Sequence, residues 1–301
     1  MRKLFLVPVA LVAMSSQALA VGFNAGVHQT FGSQDYKGTN IYAALGLGGF
    51  SFSPEYRRYM VDGVSGPHQA YSGRLAYDMR YFGLGVSGGS TVKKHGYSAR
   101  FAGADLSFTL SPLGDTGIRR IGGIGRSAAP VGKGVARVDF GAGALLTRHE
   151  QEVNVDAPAA AASDLTQTEY NGFIGASVLK VLVSGRWAKY RYSKTITDMP
   201  AYPASRWQPI AGHLSYAGDY PDNSFNLRVE APVFPMVAPF ASYTRTRYME
   251  LTPGSRPGAT SATAVGLSVG LEMVEVSASY QHVATSGHSE NFTGVGASLR
   301  L

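Results

Sequence analysis

The sequence predicts an all-β protein, a transmembrane antiparallel up-and-down β-barrel of about 14 strands, with about 12–16 admissible. Three observations predict it. Apolar and polar residues alternate with a period of two from one end of the chain to the other. The chain opens with a secretory leader and contains no cysteine. The last alternating segment runs to the final residue, Leu301.

Residues 1–20 are expected to be a cleaved signal peptide. Arg2 and Lys3 supply the positive start, Leu4 to Met14 the apolar stretch, and Ala18-Leu19-Ala20 the small-x-small cleavage site. The apolar stretch is too short to cross a hydrocarbon core of about 30 Å as a helix. No cysteine follows the cleavage site, which excludes a lipoprotein anchor. Residues 21–301 are then a single barrel domain. An exported chain without disulfides needs another source of rigidity, and a closed hydrogen-bonded sheet supplies it. The mean hydropathy of −0.03 is too polar for a helical membrane protein and suits a barrel with one wet face. The 37 glycines suit a crowded lumen, and the 17 tyrosines suit strands and membrane interfaces.

Taken in order, Phe23, Ala25 and Val27 oppose Asn24, Gly26 and His28. Ile41, Ala43, Leu45 and Leu47 oppose Asn40, Tyr42, Ala44 and Gly46. Phe50, Phe52 and Tyr56 oppose Ser51, Ser53, Glu55 and Arg57. Tyr71, Leu75, Tyr77 and Met79 oppose Ser72, Arg74, Asp78 and Arg80, and Phe82, Leu84 and Val86 oppose Gly83, Gly85 and Ser87. Ala102, Ala104, Leu106 and Phe108 oppose Gly103, Asp105, Ser107 and Thr109. Val138, Phe140, Ala142 and Ala144 oppose Arg137, Asp139, Gly141 and Gly143. Tyr170, Ile174, Ala176 and Val178 oppose Glu169, Asn171 and Ser177, and Val181, Val183 and Trp187 oppose Ser184 and Arg186. Phe225, Leu227 and Val229 oppose Asn226, Arg228 and Glu230, and Phe240 and Tyr248 oppose Tyr243, Arg245 and Arg247. Val265, Leu267 and Val269 oppose Ala264, Gly266 and Ser268. The final hairpin turns at Ser286-Gly287. Its apolar face is Val274, Val276, Ala278, Tyr280, Val295, Ala297, Leu299 and Leu301, and its polar face includes Glu275, Ser277, Ser279, Gln281, Gly294, Gly296, Ser298 and Arg300.

A soluble sandwich also alternates, but its strands usually run about 5–6 residues and its polar faces are rich in Lys and Glu. Here the alternating runs reach about 9–13 residues, the span of a tilted membrane strand, and the polar faces are Gly, Ser, Asn and Thr with isolated charges. The links alternate too. Gly48-Gly49, Met79-Arg80-Tyr81, Leu179-Lys180, Pro232 to Met236 and Glu272-Met273 are short, whereas Gln151 to Leu165 and Lys194 to Asp222 are long and polar. Short turns belong on the periplasmic side and long loops outside. Ser111 to Gly134 breaks this rule, and is expected to be a periplasmic flap, a lumen plug or an extra hairpin.

On these residues, the whole of Val21 to Leu301 resembles the bacterial outer-membrane β-barrel proteins as a class, and is porin-like. The resemblance implies export by the general secretory route, residence in the outer membrane, and outer-membrane lipid and the barrel-assembly machinery as partners. Such proteins typically end in an aromatic residue that the assembly machinery recognises. This chain ends Leu299-Arg300-Leu301, which keeps the alternation without the aromatic and implies either weaker recognition or an atypical lineage.

Other chemistries find little support. Net charge is +7 for the full chain and +5 once Arg2 and Lys3 leave with the leader, but the bases are scattered, which argues against nucleic acid. Gly83 to Gly88 reads G-x-G-x-x-G without a following helix, and Gly132-Lys133-Gly134 lacks the hydroxyl residue of a P-loop. His149-Glu150 has no second histidine four residues on, and the seven histidines show no ligand spacing, so no metal and no cofactor is expected. Some barrels of this class cut lipids at the rim with His and Ser. His282 falls on the apolar parity and has no serine two residues away, so catalytic residues are not expected and the chain reads as a non-enzyme.

Parity sends inward Glu55, Arg57, Arg74, Asp78, Arg80, Asp105, Arg137, Asp139, Glu169, Arg186, Arg228, Glu230, Arg245, Arg247, Glu275 and Arg300. This set carries an arginine excess, which favours passive passage of small polar or anionic solutes. The Lys194–Asp222 loop is expected to occlude the pore partly. Alternatives are a non-conducting structural or adhesive barrel whose extracellular loops carry the function and whose paired ions close a narrow interior, and a rim lipid hydrolase.

Overall fold

The structure is a computed structural model that describes residues 21–300, apart from 34, 48, 61–65, 80, 95, 112–135, 153–162, 180, 195–205, 211–212, 218–219, 232–235, 250–257, 272 and 286. The leader and most of Ser111–Gly134 therefore lie outside the described residues.

The alternation becomes β1 (Val21–Gly32), β2 (Tyr36–Leu47), β3 (Phe50–Met60), β4 (His68–Asp78), β5 (Phe82–Thr91), β6 (Tyr97–Leu110), β7 (Ala136–Gln151), β8 (Ser163–Val178) and β9 (Val181–Tyr192). A short hairpin, β10 (Arg206–Ile210) and β11 (His213–Ala217), falls within the long Lys194–Asp222 connection. There follow β12 (Pro221–Glu230), β13 (Val237–Tyr248), β14 (Ala259–Leu271), β15 (Val274–Thr285) and β16 (His288–Arg300). Fourteen strands form one closed antiparallel barrel in which each pairs with its chain neighbours, except that β9 pairs with β12 across the connection. β10 and β11 pair only with each other. Closure is made by β1 on β16, running from Asn24↔Arg300 to Gly32↔Phe292.

The closed ladder explains why the apolar residues can be left outside. With every strand paired on both sides, the backbone's hydrogen-bonding groups are satisfied without water, the condition for spanning lipid. Large apolar side chains then project outward from nearly every strand, among them Val27, Ile41, Phe52, Leu84, Ile174, Val265 and Val295. Among the described residues no helix is long and apolar enough to cross a membrane. The crossing is by strands, and the fold is a membrane β-barrel of the outer-membrane type.

The two ends differ. At the end where β1 begins and β16 finishes, Leu179-Lys180 joins β8 to β9, with Leu179 in the left-handed region at φ 48°. At the opposite end, the loop end, Gly287 takes φ 86° in the tight link between β15 and β16. β7 and β8 are each 16 residues long. They therefore take up part of the expected Gln151–Leu165 loop. At about 3.3 Å per residue and a tilt of about 40°, they rise roughly 10 Å further than the 12-residue strands.

The interior holds a packing device that the sequence did not suggest. Four inward phenylalanines each lie over a glycine directly opposite on the next strand: Phe292 over Gly32, Phe101 over Gly89, Phe173 over Gly141 and Phe240 over Gly266. A Cβ on Gly141 would sit 2.4 Å from the Phe173 ring, and one on Gly32 would sit 2.2 Å from the Phe292 ring. The ring fills the space that the missing side chain leaves, which pins the register of each pair.

Val265, at the middle of β14 and facing outward, is expected to tolerate no charge: Val265→Arg should lower the unfolding free energy by about 2–4 kcal/mol, measured by urea titration of protein refolded into vesicles. Gly32→Val, whose added Cβ has its nearest contacts all on the Phe292 ring, should cost about 1–3 kcal/mol by displacing that ring. The double variant Gly32→Val with Phe292→Ala should recover part of that loss in the same titration.

Candidate functional site in the barrel interior

Inward positions on β3 to β12 carry a series of arginine–carboxylate pairs. On β3 the side chains of Glu55 and Arg57 point to the same side, two residues apart, and form a two-pronged bridge: Arg57 donates from Nε to Oε1 and from Nη2 to Oε2, both at 2.7 Å. Asn40 of β2 donates to Oε1 at 2.7 Å and Ser72 of β4 to Oε2 at 3.4 Å, so the pair is tied to both neighbouring strands. The same spacing recurs on β7, where Arg137 donates from Nε and Nη2 to Asp139 at 3.0 Å each. Thr109 of β6 adds a 2.6 Å bond to Asp139, whose side chain is only 2% exposed. It recurs again on β12, where Arg228 Nη2 reaches Glu230 at 3.1 Å and the guanidinium lies 4.3 Å from the centre of the Phe240 ring. A period of two is what brings each partner onto the same wall, and the guanidinium fork matches the carboxylate.

Two pairs cross between strands. Arg186 of β9 donates to Glu169 of β8 at 2.5 Å, and Asn171 donates to the same oxygen at 3.0 Å. Arg74 of β4 reaches past β5 to Asp105 of β6, with Nη2 to Oδ1 at 2.6 Å. It can do so because the inward position between them is Gly85, where an added Cβ would lie 2.1 Å from Nη2 of Arg74 and 2.7 Å from Oδ2 of Asp105.

These five pairs occupy a contiguous arc of the wall from β3 to β12. The remaining inward wall, β13 to β16 with β1 and β2, is mostly neutral: Ser242, Thr244, Thr246, Ser277, Ser279, Gln281, Asn24, Thr30 and Asn40, with Glu275 and Glu290 as its acids. Inside the loop end, aromatic rings crowd the wall. Tyr36 stacks on Tyr59 at 5.9 Å and meets Phe292 edge-on at 5.3 Å, and all three are buried. Tyr97 and His149 share a 2.8 Å hydrogen bond on the opposite arc. These rings lie on the same parity as Asn40, Arg57 and Gly294. Extending each strand's polar parity toward the loop end would have found them.

Two of the expected inward residues face the other way. Arg245 and Arg247 are exposed on the outer surface with Tyr243, whereas Phe240, Ser242, Thr244, Thr246 and Tyr248 face inward. The register fixes this: Arg245 lies opposite outward Phe225, and Thr244 opposite inward Asn226, whose Nδ2 donates to Thr244 Oγ1 at 2.8 Å. The expectation sent aromatics to lipid and arginines to the lumen. That rule fails on β13, where the long basic side chains of Arg245 and Arg247 reach toward the headgroups and the Phe240 ring packs inside over Gly266. Glu55, Arg57, Arg74, Asp78, Asp105, Arg137, Asp139, Glu169, Arg186, Arg228, Glu230 and Glu275 face the interior. Arg80 lies outside the described residues, as does the side chain of Arg300. Among the described residues the inward strand positions thus hold five arginines against eight carboxylates, Glu290 included. Among those described residues there is no arginine excess of the kind expected from the sequence.

His282 is exposed on the outer face, as its parity suggests. Its Nδ1 lies 2.8 Å from Oδ1 of Asn291, which also accepts from the Tyr280 hydroxyl at 2.8 Å. The position two residues on, sharing its face, is Ala284.

No protein-family model matches the chain, and no curated protein matches it. Among solved structures it is similar in architecture to CdiB from Acinetobacter baumannii, at 12% identity and a TM-score of 0.49, covering 93% of this chain and 60% of that one. The chain thus spans about three fifths of that protein. It is also similar to OccAB3 from Acinetobacter baumannii (9% identity, TM-score 0.47, covering 94% of this chain and 99% of that chain). A third is OccK5 from Pseudomonas aeruginosa (10% identity, TM-score 0.45, covering 93% and 98%). At these values the likeness concerns the barrel architecture alone.

The Arg137–Asp139 pair is buried, so removing one partner should cost more than removing both. Asp139→Asn is expected to destabilise by about 3–5 kcal/mol, and Arg137→Met with Asp139→Leu by much less. Unfolding midpoints of the two variants in urea check this.

Proposed function

We propose that this barrel is a passive channel of the bacterial outer membrane for small polar solutes, with a weak preference for cations. The observation that carries the reading is the charged arc. Five arginines are each held by an inward carboxylate on one side of the interior, facing a wall of small hydroxyl and amide side chains. Fixed, paired charges order water and orient a passing dipole without trapping it, since each arginine is already neutralised by its neighbour. The surplus of carboxylates over arginines among the described inward positions sets the sign of the preference. This replaces the anionic solutes expected from the sequence, because that expectation counted Arg245 and Arg247 as lumen residues. The reading assigns no bond chemistry and no cofactor, and the lipid of the membrane is the barrel's surroundings.

A non-conducting barrel is the second reading, favoured by one observation. On β8 and β9 the inward side chains Leu165, Leu182 and Tyr190 are almost fully buried, as in a packed interior.

Conductance separates the two. Refolded protein in planar bilayers is expected to give discrete conductance steps and, in a salt gradient, a reversal potential displaced toward the cation. Silence at every voltage would establish the non-conducting barrel. Asp105→Asn, which leaves Arg74 unneutralised, should move the reversal potential toward anions. Arg245→Glu with Arg247→Glu should leave it where it was.

A further inference from the structure

We propose that the outward face of β9, β12 and β13 at the loop end binds the phosphate of an anionic lipid headgroup. The inference uses the barrel's placement in a membrane and is independent of whether the interior conducts. Four cations gather on this face: Lys189 and Arg191 on β9, Arg245 and Arg247 on β13. The register places them together. Lys189 lies opposite Asn223 of β12, and Asn223 lies opposite Arg247, so Lys189, Asn223 and Arg247 form one row across three adjacent strands. The next row inward is Trp187, Phe225 and Arg245, built by the same pairings. Tyr170 of β8, opposite Lys189, and Tyr243 of β13 flank the patch, and both are exposed.

One carboxylate serves these cations among the described residues. Asp222, at the register shift in β12, accepts from Lys189 Nζ at 2.5 Å and from Asn223 Nδ2 at 2.8 Å. Arg191, Arg245 and Arg247 have no hydrogen-bonded carboxylate among the described residues. Elsewhere on the outer surface Arg148 of β7 has Glu150 at 3.1 Å and Lys194 has Asp164 at 3.0 Å, while Lys37, Arg58 and Arg100 have no ion pair among the described residues. What distinguishes the β9–β13 face is that four cations gather on it beside two aromatic rings. A surplus of positive charge is costly on strand faces where neighbours of like sign sit close together, and an anion supplied from outside removes the cost. The rows beneath identify the source of that anion. Trp187 and Phe225 form an apolar shelf one row below Lys189 and Asn223 and beside Arg245, so a bound molecule presents negative oxygens at the rim and hydrocarbon toward the barrel's waist. A phosphate-bearing lipid has that shape; a free phosphate would leave the shelf unused. Arginine's planar fork suits two phosphate oxygens at once, and aromatic side chains favour the headgroup level.

The test uses Trp187 as a reporter. The sequence has two tryptophans, so the otherwise intact chain carrying Trp207→Phe leaves Trp187 alone. The protein is refolded into phosphatidylcholine vesicles in which a small, equal fraction of lipid is either brominated phosphatidylglycerol or brominated phosphatidylcholine. Quenching by the anionic lipid is expected to report an association about fivefold or more above that of the neutral lipid. The excess should vanish in Lys189→Gln/Arg191→Gln/Arg245→Gln/Arg247→Gln and return in the variant with Arg245→Lys and Arg247→Lys alone, each checked for the folded barrel by its gel mobility before and after heating. Equal quenching of the unsubstituted patch by the two lipids overturns the proposal. So does loss of the excess in inorganic phosphate when sodium chloride of the same ionic strength has no effect, since the site would then take the free ion. If the quadruple change prevents folding, Arg245→Gln with Arg247→Gln, which leaves β9 unaltered, gives the same reading with a smaller loss, and an unchanged excess there overturns the proposal.

Discussion

Every other property of this molecule depends on the closure of β1 on β16. A sheet with an open edge cannot rest in hydrocarbon, because each unpaired backbone group would be left without a partner. Once the ladder is closed, the alternation of side chains becomes an alternation of environments. Within the bilayer the odd positions of β7 meet water and one another, and its even positions meet lipid. A slip of one residue anywhere would exchange the two sets, so the charged wall and the apolar wall hold each other in register. The phenylalanine–glycine pairs reinforce this. A ring seated over a bare glycine fits in one register only, and four such seats are distributed around the interior.

The interior arises from the same constraint. A strand of alternating residues can place a guanidinium and a carboxylate side by side merely by writing them two apart, and the chain does so on β3, β7 and β12. Such pairs need no distant partner and form as soon as the strand does. The Arg186–Glu169 and Arg74–Asp105 bridges instead require neighbouring strands to be in place, and so report assembly of the sheet. Together they give the wall charge without much net charge. That combination keeps an interior wet while limiting how strongly any one ion is held.

Much of this was legible from the residues. The strands were visible because lipid imposes an uncompromising pattern across the middle of each crossing, and the terminal hairpin shows it best: Val274, Val276, Ala278 and Tyr280 face outward as their parity requires. The pairings Glu55–Arg57, Arg137–Asp139 and Arg228–Glu230 were implicit in the spacing. Arg245 and Arg247 were misplaced because the strand was read by assigning its aromatics to lipid, whereas the hydroxyl series Ser242, Thr244 and Thr246 carried the true inward parity. Which residues meet across strands was not legible at all. The Arg74–Asp105 bridge depends on a 31-residue separation and on the side chain absent at a third site. Nor did the alternation show that β7 and β8 extend as paired strands into what reads as polar loop, because beyond the bilayer both faces are wet and the period carries no message.

The bridge over Gly85 has a consequence for how this chain can change through descent. Arg74, Gly85 and Asp105 sit on three successive strands and behave as one unit. A larger residue at the middle position severs the outer two, and loss of either charge strands the other against an empty notch. Mutational drift at any one of the three is therefore contingent on the remaining pair. Homologues that keep the charged couple should keep the glycine, and those that fill the notch should have surrendered both charges.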